Sequence, residues 1–599
     1  MNYKSKLLIL GLVSKIFAAN FSVVSFDGDC TLNAGGQSIK MTADPKCSNL
    51  YKATANVKVG TEYYYTCGGK DDVKRTLAEE NTHNELVGRA KTVVDMPEFG
   101  YPNAEPWERS IGRTELFDPD YVPIVIVDTK KDFFVSASGS SFNKMTFILK
   151  DSVFTFEDVK VNETKNDEEH KFQFEVTLPD GGILNRDTFK FRPSSTDPSF
   201  IRQILYGDIA HAIGNPAHES VAARIYLNDG TGVGLYVLQE DVTAESFANS
   251  AFFGNPDGTI TPHKEGIIYD CSTNADFNVN DPGELGAFQN LKNPNDQKIE
   301  LDEMTRQIDL VDINDANAVK NIDDNWLDLD TLYRAIALEY LGGHWDSYWF
   351  LTTNFMVYHP ADEEEGPEYQ RTKYKYYFVD QDFDQTFSIG LSEKLKLTEK
   401  PYTDFVNKEP SFWKDISNDS NDLGSRVFIN KFIGCNGADT CETKTLFESH
   451  LKSIVQHIFN PVAIGRKVEG YRNRLDDEVR WDHSFPRLHT GSKPSADIDS
   501  YEMYDRSFNE GVCSSHGLLT WVQAMADNVC KQFNMEYDKV ALTPEDAKKM
   551  NAQKIDPGKA YDANASHEAA SKVASGSVMN QANVTLAMIA TILSIVLFL

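Results

Sequence analysis

The densest run of chemistry-bearing residues is Asp380-Gln381-Asp382-Phe383-Asp384-Gln385-Thr386-Phe387, which follows an alternating stretch at residues 375–379. Such a stretch reads as a strand, and its end sets alternating carboxylates at one mouth of a sheet. Hard oxygen ligands at this density suit magnesium on a polyphosphate, because that cation keeps several waters and takes only one or two protein carboxylates. Calcium would be served as well, and a solvated acidic turn is the plain alternative. Upstream, Asp346 follows a helix stop among His344, Trp345, Tyr348 and Trp349, and Asn354 opens the next strand. An Asp to receive a hydroxyl proton, an Asn for metal and then an Asp at a strand end is the order protein kinases use. Here the Asn stands eight positions after the Asp, farther than in those enzymes. The bland readings are a loop-capping Asp346 and a packed or capping His344.

Several elements must position these residues. A helix over about 330–341 carries Leu332, Ile336 and Tyr340 on one face and stops at Gly342-Gly343, which leaves His344-Trp345-Asp346 just beyond it. Strands follow at 355–358 and 375–379, with a charged loop at 362–365 between them. Residues 198–213 form the best-marked helix, with Pro198 in its first turn, Ile201, Ile204, Leu205, Ile209 and Ile213 on one face, and Gly214 as its stop. Strands are expected near 122–127, 146–149 and 172–178, and Asn228-Asp229-Gly230 joins two more as a hairpin. From residue 20 to about 69, short alternating runs between Gly, Asp and Asn predict a small antiparallel sandwich, and Met96-Pro97-Glu98-Phe99-Gly100-Tyr101-Pro102 marks its boundary. The C-terminal third reads as mainly helical, ending in a polar Ala/Ser-rich stalk over 543–577.

The formal net charge of -31 keeps the chain soluble and argues against nucleic acid or anionic lipid as a ligand. Lys4 and Lys6 precede an apolar run at 7–13 and the small residues Ala18 and Ala19, the pattern of a secretory signal peptide cleaved near Ala19. At the other end, residues 584–599 are apolar or small and uncharged, short for a spanning helix and without a basic flank. Small residues precede them, so a glycosylphosphatidylinositol (GPI) anchor signal is expected, with Ser575, Gly576 and Ser577 as attachment candidates. Eight cysteines, an even number, are expected to pair, with Cys435 and Cys441 closing a short loop. No zinc spacing occurs among them. The sequons at Asn20, Asn162, Asn418 and Asn564 are expected on glycosylated surface loops.

Asp197-Pro198-Ser199-Phe200-Ile201-Arg202, Leu338-Glu339-Tyr340-Leu341 with Trp345-Asp346-Ser347-Tyr348-Trp349, and Tyr377-Phe378-Val379-Asp380-Gln381-Asp382-Phe383-Asp384 together resemble the CotH kinase-like family. That family is named from a bacterial spore-coat protein and is abundant at the surface of mucoralean fungi. The fungal members share the early sandwich, the Trp107-Glu108-Arg109-Ser110 region and the lipid-anchor tail. The resemblance implies an α+β protein: a signal peptide (1–19), an N-terminal β-sandwich (20–95), an atypical protein-kinase-like domain (96–542), the stalk, and an anchor signal (578–599) that is removed. It also implies transfer of phosphate from ATP, with magnesium or manganese, to Ser or Thr of secreted, coat or wall proteins. Residue by residue, Asp346 matches the catalytic Asp, and Asp382 and Asp384 match the metal-binding pair, to which Asn354 is added. Lys171 matches the phosphate-contacting Lys, and Arg202 lies where members keep an Arg on the following helix. Two departures stand out. Ser388 and Ile389 intervene between Phe387 and Gly390, where many members place Gly directly after the aromatic. Some members act as adhesins or invasins towards host cells, yet residues 352–366 differ from the polar stretch linked to that role. Against the kinase stands a surface adhesin that binds a host-cell receptor or wall component and keeps the fold without the activity, and sugar stacking on Tyr63, Tyr64 and Tyr65 is a third reading, set against core packing.

Overall fold

Alternation along the first strands produces two sheets that pack face to face. Ala18–Val24, Thr42–Asp44, Cys47–Asn56 and Asn81–Leu86 make one, and Cys30–Ala34, Gln37–Lys40, Glu62–Cys67, Lys70–Asp71 and Arg75–Thr76 the other. The computed structural model describes residues 18–102, 107–165, 167–272, 274–417, 424–491 and 500–553. In Glu62–Cys67 the period of two turns Tyr63 and Tyr65 into the core, where their hydroxyls donate to Glu85 at 2.8 and 2.5 Å. These two tyrosines pack the core and are not a sugar platform; Tyr64 is half-buried.

A linker leads to a closed barrel of Ile124–Asp128, Ser141–Ile148, Val153–Lys165, Gln173–Thr177, Thr188–Arg192, Gly232–Glu240 and Ser220–Leu227, in which the first and last strands pair parallel. Phe142, Phe147, Phe174, Phe189, Phe191 and Tyr236 fill it, so the interior is a packed core and not a channel. The hairpin at 228–230 is present, with Gly230 at φ +84. Val24, Leu50 and Leu86 of the sandwich pack on Ile124, Ile126 and Ile148 of the barrel.

Beyond the barrel lie a four-stranded antiparallel sheet, in the order Gln289–Asn290, Ile267–Cys271, Phe355–His359 and Tyr377–Asp380, and a helical layer. Helix Arg202–Ala212 starts later than the sequence suggests, because the Asp197 carboxylate accepts from the Ser199 and Arg202 N–H groups at 2.9 and 2.8 Å and holds Pro198 in a turn ahead of it. Helix Leu329–Gly342 is capped by Asp328, whose side chain accepts from the Thr331 N–H, and is buried along nearly its whole length. Helix Pro461–Asp482 carries buried polar residues at three- and four-residue spacing: Lys467, Tyr471, Arg474, Glu478 and Asp482.

Three expectations need correction. Only Cys30–Cys67 and Cys435–Cys441 are bridged, while Cys47 and Cys271 are buried thiols, Cys513 is exposed and Cys530 half-buried, so the eight cysteines do not all pair. Asn20 and Asn162 lie in strands and not in loops. Residues 544–553, expected to belong to the stalk, form a helix that buries Ala547 and Met550. Asn418, Asn564, Ser575, Gly576 and Ser577, most of the signal peptide and the whole anchor signal lie outside the described residues. Among those described, no helix is long and apolar enough to cross a membrane.

Candidate active site

The register of the four-stranded sheet brings the carboxylates together. Phe355 pairs with Asp380, and the Gln381 N–H donates to the Asn354 carbonyl at 3.0 Å, so Asn354 and the Asp380–Asp384 turn leave the sheet side by side. Asp382 sits at φ +64 and Asn354 at φ +53. Both are residue types that tolerate this left-handed region. Phe383 anchors the turn, stacked on Tyr206 at 4.3 Å and His218 at 4.9 Å, and its N–H donates to the Gln203 side chain at 2.9 Å. Helix Arg202–Ala212 therefore fixes the turn from below.

Asp346 reaches the same mouth from the other side. Gly343, at φ +57, ends helix Leu329–Gly342 in a left-handed cap, and the chain doubles back through the fully buried His344. Asn354 donates its amide to the Asp346 carbonyl at 2.9 Å and holds that backbone, and Glu339 accepts the Trp349 N–H at 2.8 Å. The His344 ring lies between two carboxylates, with Nε2 at 3.4 Å from Asp346 and Nδ1 at 3.5 Å from Asp380, which also accepts the Tyr206 hydroxyl at 2.9 Å.

One guanidinium meets the aspartate pair. Arg192, the last residue of a barrel strand, lies 2.5 Å from Asp382 and 3.1 Å from Asp384, and Thr196 donates to Asp384 at 3.1 Å. Burial raises Asp384, and so does the Asp382 charge, whereas at Asp382 the burial penalty is outweighed by Arg192 and by a hydrogen bond from Asp384, so its carboxyl is depressed. Burial, with the charges of Asp382 and Asp384, pushes Asp346 up to about 7 despite His344. Burial and Asp380 push Glu339 up to about 8. His344 is depressed by burial, but Asp380, Asp346 and Glu339 outweigh that and carry it to about 10.

Asp346 Oδ1 and Asp382 Oδ1 are shielded from water and accept no aligned hydrogen bond, the close approach of Arg192 being a charge contact. Among the described residues no three His, Cys, Asp or Glu side chains form a preformed metal cage. Magnesium does not require one, since substrate phosphates and water supply most of its shell, so the residues present fit it.

Of the remaining expected residues, Lys171 is held elsewhere, its ammonium donating to the Leu235 carbonyl at 2.6 Å and to Asp482 at 3.1 Å over the Tyr236 ring. Arg202 is fully buried and turned to Asp197 and Ser199. The Ser388 departure has a clear consequence: Ser388 sits at φ +78, and its hydroxyl donates to the His516 carbonyl at 3.0 Å. Sequence reasoning missed Arg192. The signal available was the alternation in Thr188–Arg192, where Phe189 and Phe191 fill the barrel and leave Lys190 and Arg192 facing out.

The sequence profile of the family described as CotH kinase protein matches residues 154–504. The chain belongs to the CotH kinase family. The match covers most of the barrel, the sheet and the helical layer, and leaves the sandwich outside. Curated relatives come from Rhizopus delemar. Invasin CotH3 is 27% identical over 87% of this chain and 85% of its own length. Invasin CotH7 is 29% identical over 81% and 78%, and Spore coat protein homolog 1 is 28% identical over 82% and 78%.

Proposed function

We propose that this CotH protein is a surface-displayed atypical protein kinase that transfers phosphate from ATP to Ser or Thr hydroxyls of secreted, coat or wall proteins. The observation that carries this reading is the convergence of Asp346, Asn354, Asp382 and Asp384 at one mouth, faced by Arg192 from the barrel. Asp382 and Asp384, with Asn354, would hold magnesium or manganese. Bound there, the ion supplies charge neutralisation to the nucleotide phosphates. Asp346, whose Oδ1 faces the buried His344 at 3.4 Å, would orient the substrate hydroxyl and accept its proton. Asn354 keeps Asp346 in place through its carbonyl, and the buried His344 holds the ring of charges together. Such positioning and charge complementarity supply most of the catalysis in phosphoryl transfer. The protein would reach the surface through its signal peptide and stay there on a GPI anchor, from which phosphatidylinositol-specific phospholipase should release it.

The relatives named invasins favour a second reading, an adhesin that binds a host receptor or wall component and keeps the fold without the activity. Calorimetry of the purified ectodomain with ATP, with and without magnesium, separates the two. Magnesium-dependent ATP binding, followed by transfer to a Ser/Thr-rich peptide pool, supports the kinase; no binding at millimolar ATP supports the adhesin.

A further inference from the structure

Two basic residues of the barrel could answer a nucleotide's phosphates, and the structure treats them differently. Lys171 is built into the framework. Its partner Asp482 also accepts the Leu235 N–H at 2.7 Å and two Arg487 nitrogens at 2.8 and 2.9 Å, in a buried network that has no need of a ligand. Arg192 is the reverse case. Its strand points Phe189 and Phe191 into the barrel, both fully buried, so Lys190 and Arg192 face outward. Lys190 is answered by Asp241 at 3.0 Å. Arg192, its side chain only 10% exposed, bridges Asp382 and Asp384, and among the described residues no other Lys or Arg pairs with either.

We propose that Arg192 is the cation that grips the nucleotide phosphates, and that without nucleotide it occupies the aspartate pair in competition with the metal. This rests on the kinase reading above. A divalent cation and a guanidinium cannot share the Asp382 oxygen without strong mutual repulsion. When the metal enters, Arg192 must yield that oxygen, and the nearest new anion is the phosphate that the metal brings. A planar fork of donors suits a phosphate as it suits a carboxylate, so the side chain exchanges one partner for the other. The barrel and the Asp380–Asp384 turn are thus held together by Arg192 before nucleotide arrives and by Arg192 through the phosphates afterwards.

The test is calorimetric titration of the full ectodomain with magnesium chloride alone and with magnesium-ATP. Arg192→Gln should bind magnesium alone about tenfold tighter, because a competing charge is gone, and magnesium-ATP about ten- to hundredfold weaker. Opposite shifts of this kind cannot come from a damaged fold, which weakens both. Equal affinities, or equal losses in both titrations, overturn the proposal, as does a Lys171→Gln variant that loses nucleotide while Arg192→Gln keeps it. If Arg192→Gln is not secreted, Arg192→Lys decides: it keeps the charge and loses the fork, so magnesium alone should bind as in the parent and magnesium-ATP more weakly, and parental nucleotide binding overturns the assignment. A parent that binds magnesium but no ATP sinks the kinase reading, while the magnesium titration still shows whether Arg192 competes for Asp382. A parent that binds neither sinks both.

Discussion

Two of the buried ionic clusters in this molecule differ in how far cations answer their acids. In the cluster along helix Pro461–Asp482 each buried carboxylate is paired with cations. Asp208 meets Arg113, Lys467 at 2.9 Å and the Tyr471 hydroxyl; Glu478 meets Arg89 at 3.0 Å and Arg224; Asp482 meets Lys171 and Arg487. Burial raises these acids, but their cations outweigh it, leaving Glu478 and Asp482 depressed and Asp208 at about 2. At the mouth, Glu339, Asp346, Asp380, Asp382 and Asp384 face one guanidinium and one imidazole; Asp382, which Arg192 answers, is depressed, while Glu339, Asp346 and Asp384 are raised. The first cluster is electrically closed and structural. The second is short of positive charge, which is what the proposed metal site requires.

The largest effects should come from the mouth. In the kinase reading, Asp382→Asn removes the charge that would draw the metal at nearly constant shape, and should abolish phosphate transfer and weaken magnesium-ATP binding together. Asp346→Asn should lose about 10² to 10⁴ in transfer rate and keep most ATP affinity, because in that reading the residue handles the hydroxyl. Secreted variants assayed for transfer and by calorimetry would break the comparison if both matched the parent, or if both lost only thermal stability.

Next comes the closed cluster. Glu478→Ala leaves Arg89 and Arg224 buried without their carboxylate, and should cost about 3–5 kcal/mol of stability. The measurement is thermal unfolding alongside ATP titration. A stable variant that loses nucleotide binding would erase the distinction between the two clusters.

The contrast also fixes a pH dependence. A raised carboxyl holds its proton longer in the folded than in the unfolded chain, so ionising Asp346 and Glu339 should lower stability as pH rises from about 4 towards 8. His344, raised to about 10, contributes stability that is complete below its unfolded value near 6.5 and is lost as pH climbs through about 10. Asp208, Glu478 and Asp482 act the other way, and their contribution is lost only on acidification below about 4. With a chelator present, the free energy of unfolding should therefore fall between pH 6 and 9, by on the order of a kcal/mol or more per group, and magnesium should flatten that slope. A flat profile in chelator would mean that the mouth is not short of positive charge.

Much of the mouth was legible before the fold was known. Asp382 and Asp384 announced themselves by alternating at a strand end, and Asp346 by following a glycine stop. Asn354 was expected as a metal ligand; the bond it makes is from its amide to the Asp346 backbone carbonyl, which pattern and spacing did not reveal. The closed cluster was illegible, because charged residues three and four apart on a helix look like a solvated face until the barrel packs on them. Barrel closure was hidden for a related reason: alternation reveals strands but not which distant strand completes the ring, here Ile124–Asp128 with Ser220–Leu227. The cysteine count misled, since an even number says nothing about geometry, and Cys47 and Cys271 are simply buried apolar side chains.

The smallest predicted effect concerns Ser388, between the mouth and the helical layer. A non-glycine residue at φ +78 costs about 1–3 kcal/mol unless its surroundings compensate. Here they do so in part, since the buried Ser388 hydroxyl donates to the His516 carbonyl and accepts from the His516 N–H at 3.3 Å. Ser388→Ala would keep the backbone cost and lose those bonds, which predicts a destabilisation of about 1–2 kcal/mol. Ser388→Gly would lose the same bonds but relieve the backbone, partly offset by the freer unfolded chain, so it should lie within about 1 kcal/mol of the parent. The order is the test, because both variants leave the aspartates untouched and should transfer phosphate at parental rates. If Gly proved less stable than Ala in thermal unfolding, the hydroxyl bonds would not be compensating a strained turn, and the departure from the family's glycine would need another cause. If either variant lost transfer, the Ser388 turn would belong to the mouth itself, and the line between closed framework and open site would run one residue further along the chain than Phe387.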